Sequence, residues 1–202
     1  MLKAVRLILW LLVAVLAGAL GWVTYDIANR EAPVKAAEGP FGVPFTLVSG
    51  QGGAVTRDAF LGKPTLLFFG FTHCPEVCPT TLFEMNGWLK QVDPEARKLQ
   101  AFFVTVDPER DTPELLGRYI ANVSDRVTGL SGSPDAVMAM VKGFRVYARK
   151  VPVDAAKPDG DYTMDHTASV FLLDAEGRFR GTIAYGENPE TAVKKLENLA
   201  AG

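Results

Sequence analysis

Residues Leu7 to Val23, LILWLLVAVLAGALGWV, form an unbroken uncharged run near the start of the chain. Such a stretch cannot be exposed to water at low cost, and it is about the length that spans the apolar core of a bilayer as a helix. Trp10 lies near one end, with Trp22 and Tyr25 at the other, where interfacial aromatic residues belong. Lys3 and Arg6 precede the run, so the positive-inside bias keeps the N-terminus in the cytoplasm and sends everything after Tyr25 across the membrane. Ala17, Gly18 and Ala19 resemble a signal-peptidase site, which leaves cleavage as a competing reading. The apolar run continues through Leu20, Trp22 and Val23, and this favours an uncleaved anchor over residues 1–27. No cysteine follows it to accept a lipid, and no Arg-rich, Ser-rich transit segment precedes it. The expected location is a bacterial inner membrane, single-pass, with the C-terminal domain in the periplasm.

The chain has 202 residues, enough for one domain and a leader. With 48% hydrophobic residues and a net charge of -2, it lacks both the basic footprint of a nucleic-acid binder and the composition of a disordered acidic chain. Residues 28–44, ANREAPVKAAEGPFGVP, mix Ala, Gly, Pro and charges without periodicity and read as a linker, so the domain is expected over residues 45–202.

Within that domain, FTLV (45–48) and AVT (54–56) flank a Gly-rich turn and predict a hairpin. TLLFFGF (65–71) and LQAFFVTVD (99–107) are continuous apolar runs of the kind found in strands buried on both faces. Between them Leu82, Met85, Leu89 and Val92 recur at helical spacing. Thr112-Pro113-Glu114, Ser133-Pro134-Asp135 and Asn188-Pro189-Glu190 each combine an N-cap residue, a proline at the first helical position and an acid in the first turn, and predict three further helices. Strands are expected at 127–130, 144–151, 168–174 and 179–185, the last two joined by a tight turn at Asp174 to Gly177. Alternating strands and helices followed by a hairpin and a final helix imply an α/β domain with a mixed sheet, of thioredoxin-like fold.

In such a sheet the carboxyl ends of the parallel strands carry the site. Cys74 and Cys78 follow one such strand, Asp107 ends its neighbour, and His166 precedes an antiparallel strand, so all four can meet at one edge. Cys74 and Cys78 are the only cysteines, each followed by proline in FTHCPEVCP (71–79). A redox pair, a pair of metal ligands and an accident of composition are the three readings. Proline disfavours the α conformation in the residue before it, so Cys78 is expected as the helix N-cap, with Cys74 in the loop above. A helix N-terminus favours thiolates, which suits both nucleophilic and ligand roles. The C-x-x-x-C spacing is one residue longer than that of ordinary dithiol oxidoreductases, which disfavours a relaxed disulfide without excluding it. Soft sulfur ligands select Cu(I), zinc or iron–sulfur clusters. Two cysteines and two histidines are too few for a cluster or a usual structural zinc, whereas two thiolates and an imidazole suit copper. His166 on its own reads more readily as a surface or capping residue than as a ligand. His73 points away from Cys74 if the strand continues, and Met164 reads as loop packing.

GPFGVPFTL, FFGFTHCPEVCPTTL, VTVDPERDTPE and DYTMDHTASVFLLD follow one another behind an apolar N-terminal segment. In that order the sequence resembles the Sco/SenC family of copper-binding proteins. The resemblance implies a thioredoxin-like metallochaperone rather than an enzyme. Its ligands would be Cys74, Cys78 and His166, and Asp107 would orient them from behind. It further implies copper, as Cu(I), Cu(II) or both, delivered by ligand exchange to the copper-binding subunit of cytochrome c oxidase. Another periplasmic copper chaperone or a thiol reductase would be an additional partner. Thiol–disulfide exchange by Cys74 and Cys78 would make the protein a reductase of the oxidase cysteines instead, and an envelope redox or copper sensor is the third possibility. VDPERDTPE otherwise reads as a solvated loop with Asp111 or Thr112 capping a helix, and this is the favoured account of Arg110 and Asp111. Glu76 stands where an aspartate is expected in many relatives, a departure that leaves ligation unaffected.

Overall fold

The structure, a computed structural model, describes residues 2–30, 41–157 and 160–202. Two units are distinct, residues 1–37 and 38–202. In the first, helix α1 (Leu2–Arg30) contains a stretch, Lys3–Tyr25, with mean hydropathy 2.3, long and apolar enough to cross a membrane. Of the expected linker, residues 28–30 continue α1, residues 31–40 lie outside the described residues, and residues 41–44 are described with the domain.

The second unit is built on the two continuous apolar runs. Strand β3 (Thr65–Gly70) is buried at every position, and β4 (Gln100–Thr105) at all but the first. They pair in parallel from Thr65–Gln100 to Gly70–Thr105. Because neither strand has a solvent face, every side chain on both must be covered, and the helices do this. A seven-stranded sheet results, ordered β2 (Ala54–Thr56), β1 (Thr46–Ser49), β5 (Val127–Ser131), β4, β3, β8 (Ser169–Leu173), β9 (Phe179–Ala184). Strands β5, β4 and β3 run parallel in its centre, and the successive pairs outward, β5–β1 and β1–β2 on one side and β3–β8 and β8–β9 on the other, are antiparallel. This is the mixed sheet of the thioredoxin-like fold that the sequence pattern implies.

Helices α3 (Pro113–Ala121), α4 (Pro134–Gly143) and α5 (Pro189–Ala201) begin at the three predicted devices. The Thr112 and Ser133 hydroxyls accept from the N–H groups of Leu115 and Ala136, and Asn188 Oδ1 accepts from Glu190 and Thr191. Each cap satisfies N–H groups that the first helical turn leaves without partners. Leu82, Met85 and Leu89 form the buried stripe of α2 (Val77–Val92), as their spacing requires.

Three features differ from the sequence reading. Phe41, placed in the linker, belongs to the domain: its ring packs on Phe144, Phe171 and Phe179, and its N–H donates to Gly177. Residues 144–151 do not form one strand. Phe144 caps α4 as a buried ring against Phe69, and the strand begins only at Ala148. That strand, β6 (Ala148–Pro152), pairs not with the main sheet but with β7 (Tyr162–His166), making a separate antiparallel ribbon. Finally, Cys78 is not the N-cap of α2. Glu76 holds that place, and Cys78 and Pro79 lie in the first turn. Proline is tolerated there because its missing N–H would have had no intrahelical partner.

Candidate metal centre

Cys74, Cys78 and His166 converge. Their ligating atoms all lie within 4.8 Å of one another, although Cys78 and His166 are 88 residues apart. Ligand atoms at ~2.0 to 2.3 Å from a shared ion lie no more than ~4.6 Å apart, so only a small contraction would close the three around one.

Each donor is placed by a different part of the fold. Cys78 is fully buried where α2 enters above the carboxyl end of β3. Gly70, the last residue of β3, makes room for it: a Cβ there would lie 3.0 Å from Cys78 Sγ and 2.7 Å from the Phe103 ring. Cys74, half-buried in the preceding loop, accepts the Cys78 backbone N–H at 3.3 Å. Its sulfur therefore takes the role of a capping acceptor at the start of α2. His166 ends β7, and its Nδ1 lies 3.1 Å from the carbonyl oxygen of Thr167. A carbonyl only accepts, so Nδ1 carries the proton and Nε2 presents a lone pair, 3.6 Å from Cys78 Sγ. The rings of Phe68 and Phe71 meet the imidazole edge-on and wall that side off from water.

The two sulfurs are electrostatically unlike. Cys74 is drawn down to about 4, chiefly by the Cys78 side chain; burial opposes this, and the Cys78 and Glu76 backbone N–H groups add to it. Cys78 is pushed far up, first by that same contact with the Cys74 sulfur and then by burial. The negative charge therefore falls on Cys74, the more accessible sulfur, while the buried Cys78 keeps its proton. Such an arrangement offers a nucleophile, or a soft anionic ligand with a second that becomes available when its proton leaves.

His73 is exposed, its Nδ1 against its neighbour Thr72 Oγ1, and Met164 is buried in the core. Asp107 is not in the group of converging donors. Its carboxylate, 1% exposed, is used by the Arg110 guanidinium and by the Tyr162 hydroxyl at 2.9 Å. The acid behind the cysteine loop is instead Asp111, which the sequence reading placed in a solvated loop. It is fully buried and accepts from the Thr72 N–H at 3.0 Å, the Thr72 hydroxyl at 2.5 Å and the Thr105 hydroxyl at 2.7 Å. Thr112 alone caps α3. Gly70, Thr72, Thr105 and Asp111 therefore lie behind the cysteine loop, while Arg110 and Tyr162 hold Asp107. The one sequence signal for any of them is the pair of acids four apart in DPERD, since their partners are remote in the chain.

A family model described as SCO1/SenC matches residues 34–201. Protein SCO2, mitochondrial, of Saccharomyces cerevisiae is 34% identical over 171 residues, 83% of this chain and 56% of that protein. The structure of Bradyrhizobium japonicum ScoI with copper bound superposes with a TM-score of 0.71 at 45% identity, covering 79% of this chain and 99% of that one. Yeast Sco1 with copper bound gives 0.71 at 33% identity, over 81% and 90% respectively. The chain spans about half the length of the curated relatives it matches.

Proposed function

We propose that this chain, which belongs to the SCO1/SenC family, is a copper chaperone that holds one copper between Cys74, Cys78 and His166 and passes it to the copper-binding subunit of cytochrome c oxidase. The observation that carries this reading is the meeting of two sulfurs and an imidazole Nε2 within 4.8 Å, on three different segments of the fold. Two thiolates with one imidazole match the softness of Cu(I), and mixed nitrogen and sulfur ligation also accommodates Cu(II). Copper-bound structures of B. japonicum ScoI and yeast Sco1 support it further.

Copper enters as cargo. Cys74 is already anionic at neutral pH, so loading displaces mainly the proton of Cys78. Release proceeds by ligand exchange. A thiolate of the acceptor approaches on the half-buried Cys74 side, because Cys78 is closed off beneath α2 and β3. The imidazole, with Nδ1 held by the Thr167 carbonyl, stays aimed while the sulfurs are replaced in turn. The apolar helix α1 would anchor the domain to a bacterial inner membrane, and Lys3 and Arg6 would place the domain on the periplasmic side. Disulfide formation between Cys74 and Cys78 would remove both sulfur ligands and abolish uptake.

The asymmetry of the sulfurs favours one second reading, a thiol–disulfide reductase. Cys74 thiolate would attack a partner disulfide, displacing one partner thiolate and forming a mixed disulfide. Cys78, on losing its proton, would then displace the second and leave a Cys74–Cys78 disulfide. His166 is not required for that reaction. Titration of the reduced full chain in detergent with Cu(I) and Cu(II), beside His166→Ala, separates the two. One tightly bound copper, weakened roughly tenfold or more in the variant, a loss of ~1.4 kcal/mol, supports the chaperone. Binding indifferent to His166 refutes the three-ligand site and leaves the reductase.

A further inference from the structure

The ligands come from two parts of one compact unit. Cys74 and Cys78 belong to the β3–α2 connection of the main sheet, whereas His166 ends a ribbon, β6–β7, whose ladder is its own. Something must fix one against the other. The turn Asp107–Asp111 after β4 touches both. At one end Asp111 receives Thr72 from the cysteine loop. At the other, Arg110 pairs through Nε with buried Asp107 and donates through Nη1 to the Tyr162 carbonyl oxygen at 2.8 Å. The Tyr162 hydroxyl returns a bond to Asp107, and its ring has the Arg110 guanidinium 3.9 Å and the Lys150 ammonium 4.5 Å from its centroid. Backbone bonds from the Arg110 and Asp111 N–H groups to the Asp107 carbonyl keep the turn tight.

Tyr162, Met164 and His166 alternate onto the same face of β7, so the latch and the ligand are opposite ends of one short edge, ~13 Å apart at strand rise. Met164 is buried between them. We propose that Arg110, through its joint hold on Asp107 and Tyr162, is a positioning residue that sets how firmly His166 is kept on the copper. This rests on the ligand set proposed above and adds to it a control of release: loosening the latch lets the ribbon, and the imidazole with it, move away from sulfurs that stay where they are. Arginine is required because only its planar fork reaches the carboxylate and the carbonyl together. The exposed Lys150–Glu109 pair, by contrast, lies on the surface, where such pairs contribute little.

The test uses the full chain in detergent, loaded with one equivalent of Cu(I), and follows transfer to the chromophoric chelator bathocuproine disulfonate. Arg110→Met is expected to speed transfer about tenfold or more, Tyr162→Phe by less, and Glu109→Gln not at all. On the Cu(II)-loaded protein, Arg110→Met should weaken the histidine nitrogen coupling in pulsed electron paramagnetic resonance while the thiolate-to-copper absorption persists. In a His166→Ala background, Arg110→Met should change nothing further, since the latch acts through a ligand already removed. Equal acceleration in both backgrounds, or none in the parent while His166→Ala accelerates release, overturns the latch alone. Release unaffected by His166→Ala overturns the ligand set, and the latch with it. Tyr162→Phe, which deletes one oxygen, decides the question if Arg110→Met does not fold.

Discussion

Gly70→Ala offers a direct test of how closely the fold is fitted to the Cys78 sulfur. Gly70 has no left-handed torsion, so alanine meets no backbone strain there, and restricting the unfolded chain would by itself stabilise by ~0.4 to 1 kcal/mol. The new methyl, however, would lie 2.7 Å from the Phe103 ring and 3.0 Å from both Cys78 Sγ and the Phe68 ring, all three residues fully buried. Ordinary contacts are ~3.5 to 4.0 Å, so the ring or the sulfur must retreat by roughly 0.7 Å. Overpacking of this kind costs ~1 to 3 kcal/mol, which leaves a net loss of up to ~2.6 kcal/mol. Ligand positions tolerate only ~0.2 Å, so copper affinity should fall by at least about tenfold. Urea unfolding of the metal-free chain and chelator competition for Cu(I) measure the two effects separately. Gly87→Ala on α2 is the control: its Cβ meets nothing, and alanine there should stabilise by ~0.5 to 1 kcal/mol. Parent-like stability together with parent-like copper binding in Gly70→Ala would refute the argument that this glycine is a steric requirement of the site.

Iodoacetamide should alkylate Cys74 with a pH midpoint near 4, far below the ordinary thiol value of ~8.5, while Cys78 resists until the chain unfolds; mass spectrometry of each peptide checks this, and equal rates at both cysteines would contradict it. Asp93, 3% exposed, suffers burial that raises its pKa, but the N–H groups of Leu99, Lys98 and Arg97 and the charge of Arg126 more than offset it, so the folded value is lowered. Its contribution is therefore complete above the unfolded value of ~3.9 and is lost as pH falls through the lower folded value. Asp93→Asn should lose ~1 to 3 kcal/mol at pH 7 and less at pH 3 by urea titration, and a pH-independent loss would show that the charge is not responsible.

Much of this architecture was legible because it rests on local rules. The TLLFFGF and LQAFFVTVD runs read as doubly buried strands since no polar face interrupts them, and three N-cap, proline and acid triplets each started a helix. The ribbon was not legible. Residues 144–151 alternate plausibly for one strand, but burial of Phe144 against Phe69 ends α4 there and postpones the strand to Ala148. Cys78 was misplaced by one rule, the effect of proline on its predecessor, when another, the absence of partners for first-turn N–H groups, prevailed. Asp111 was not legible as a buried acid for a plainer reason. Which acid is buried behind the cysteines depends on Thr72 and Thr105, and which one faces the ribbon depends on Tyr162, 55 residues away.

The long separation in sequence between Cys78 and His166 bears on the order in which the molecule is made. The cysteine loop and the β3–β4 pairing involve the first half of the domain, but the imidazole arrives only when the ribbon and β8 have closed against them. Non-local contacts of this kind come late, because the loop that joins them must be ordered first. A nascent or partly folded chain therefore presents two sulfurs without the nitrogen. With the ligand set proposed above, complete coordination would certify finished folding, and a chain still being assembled would hold copper less firmly than a finished one.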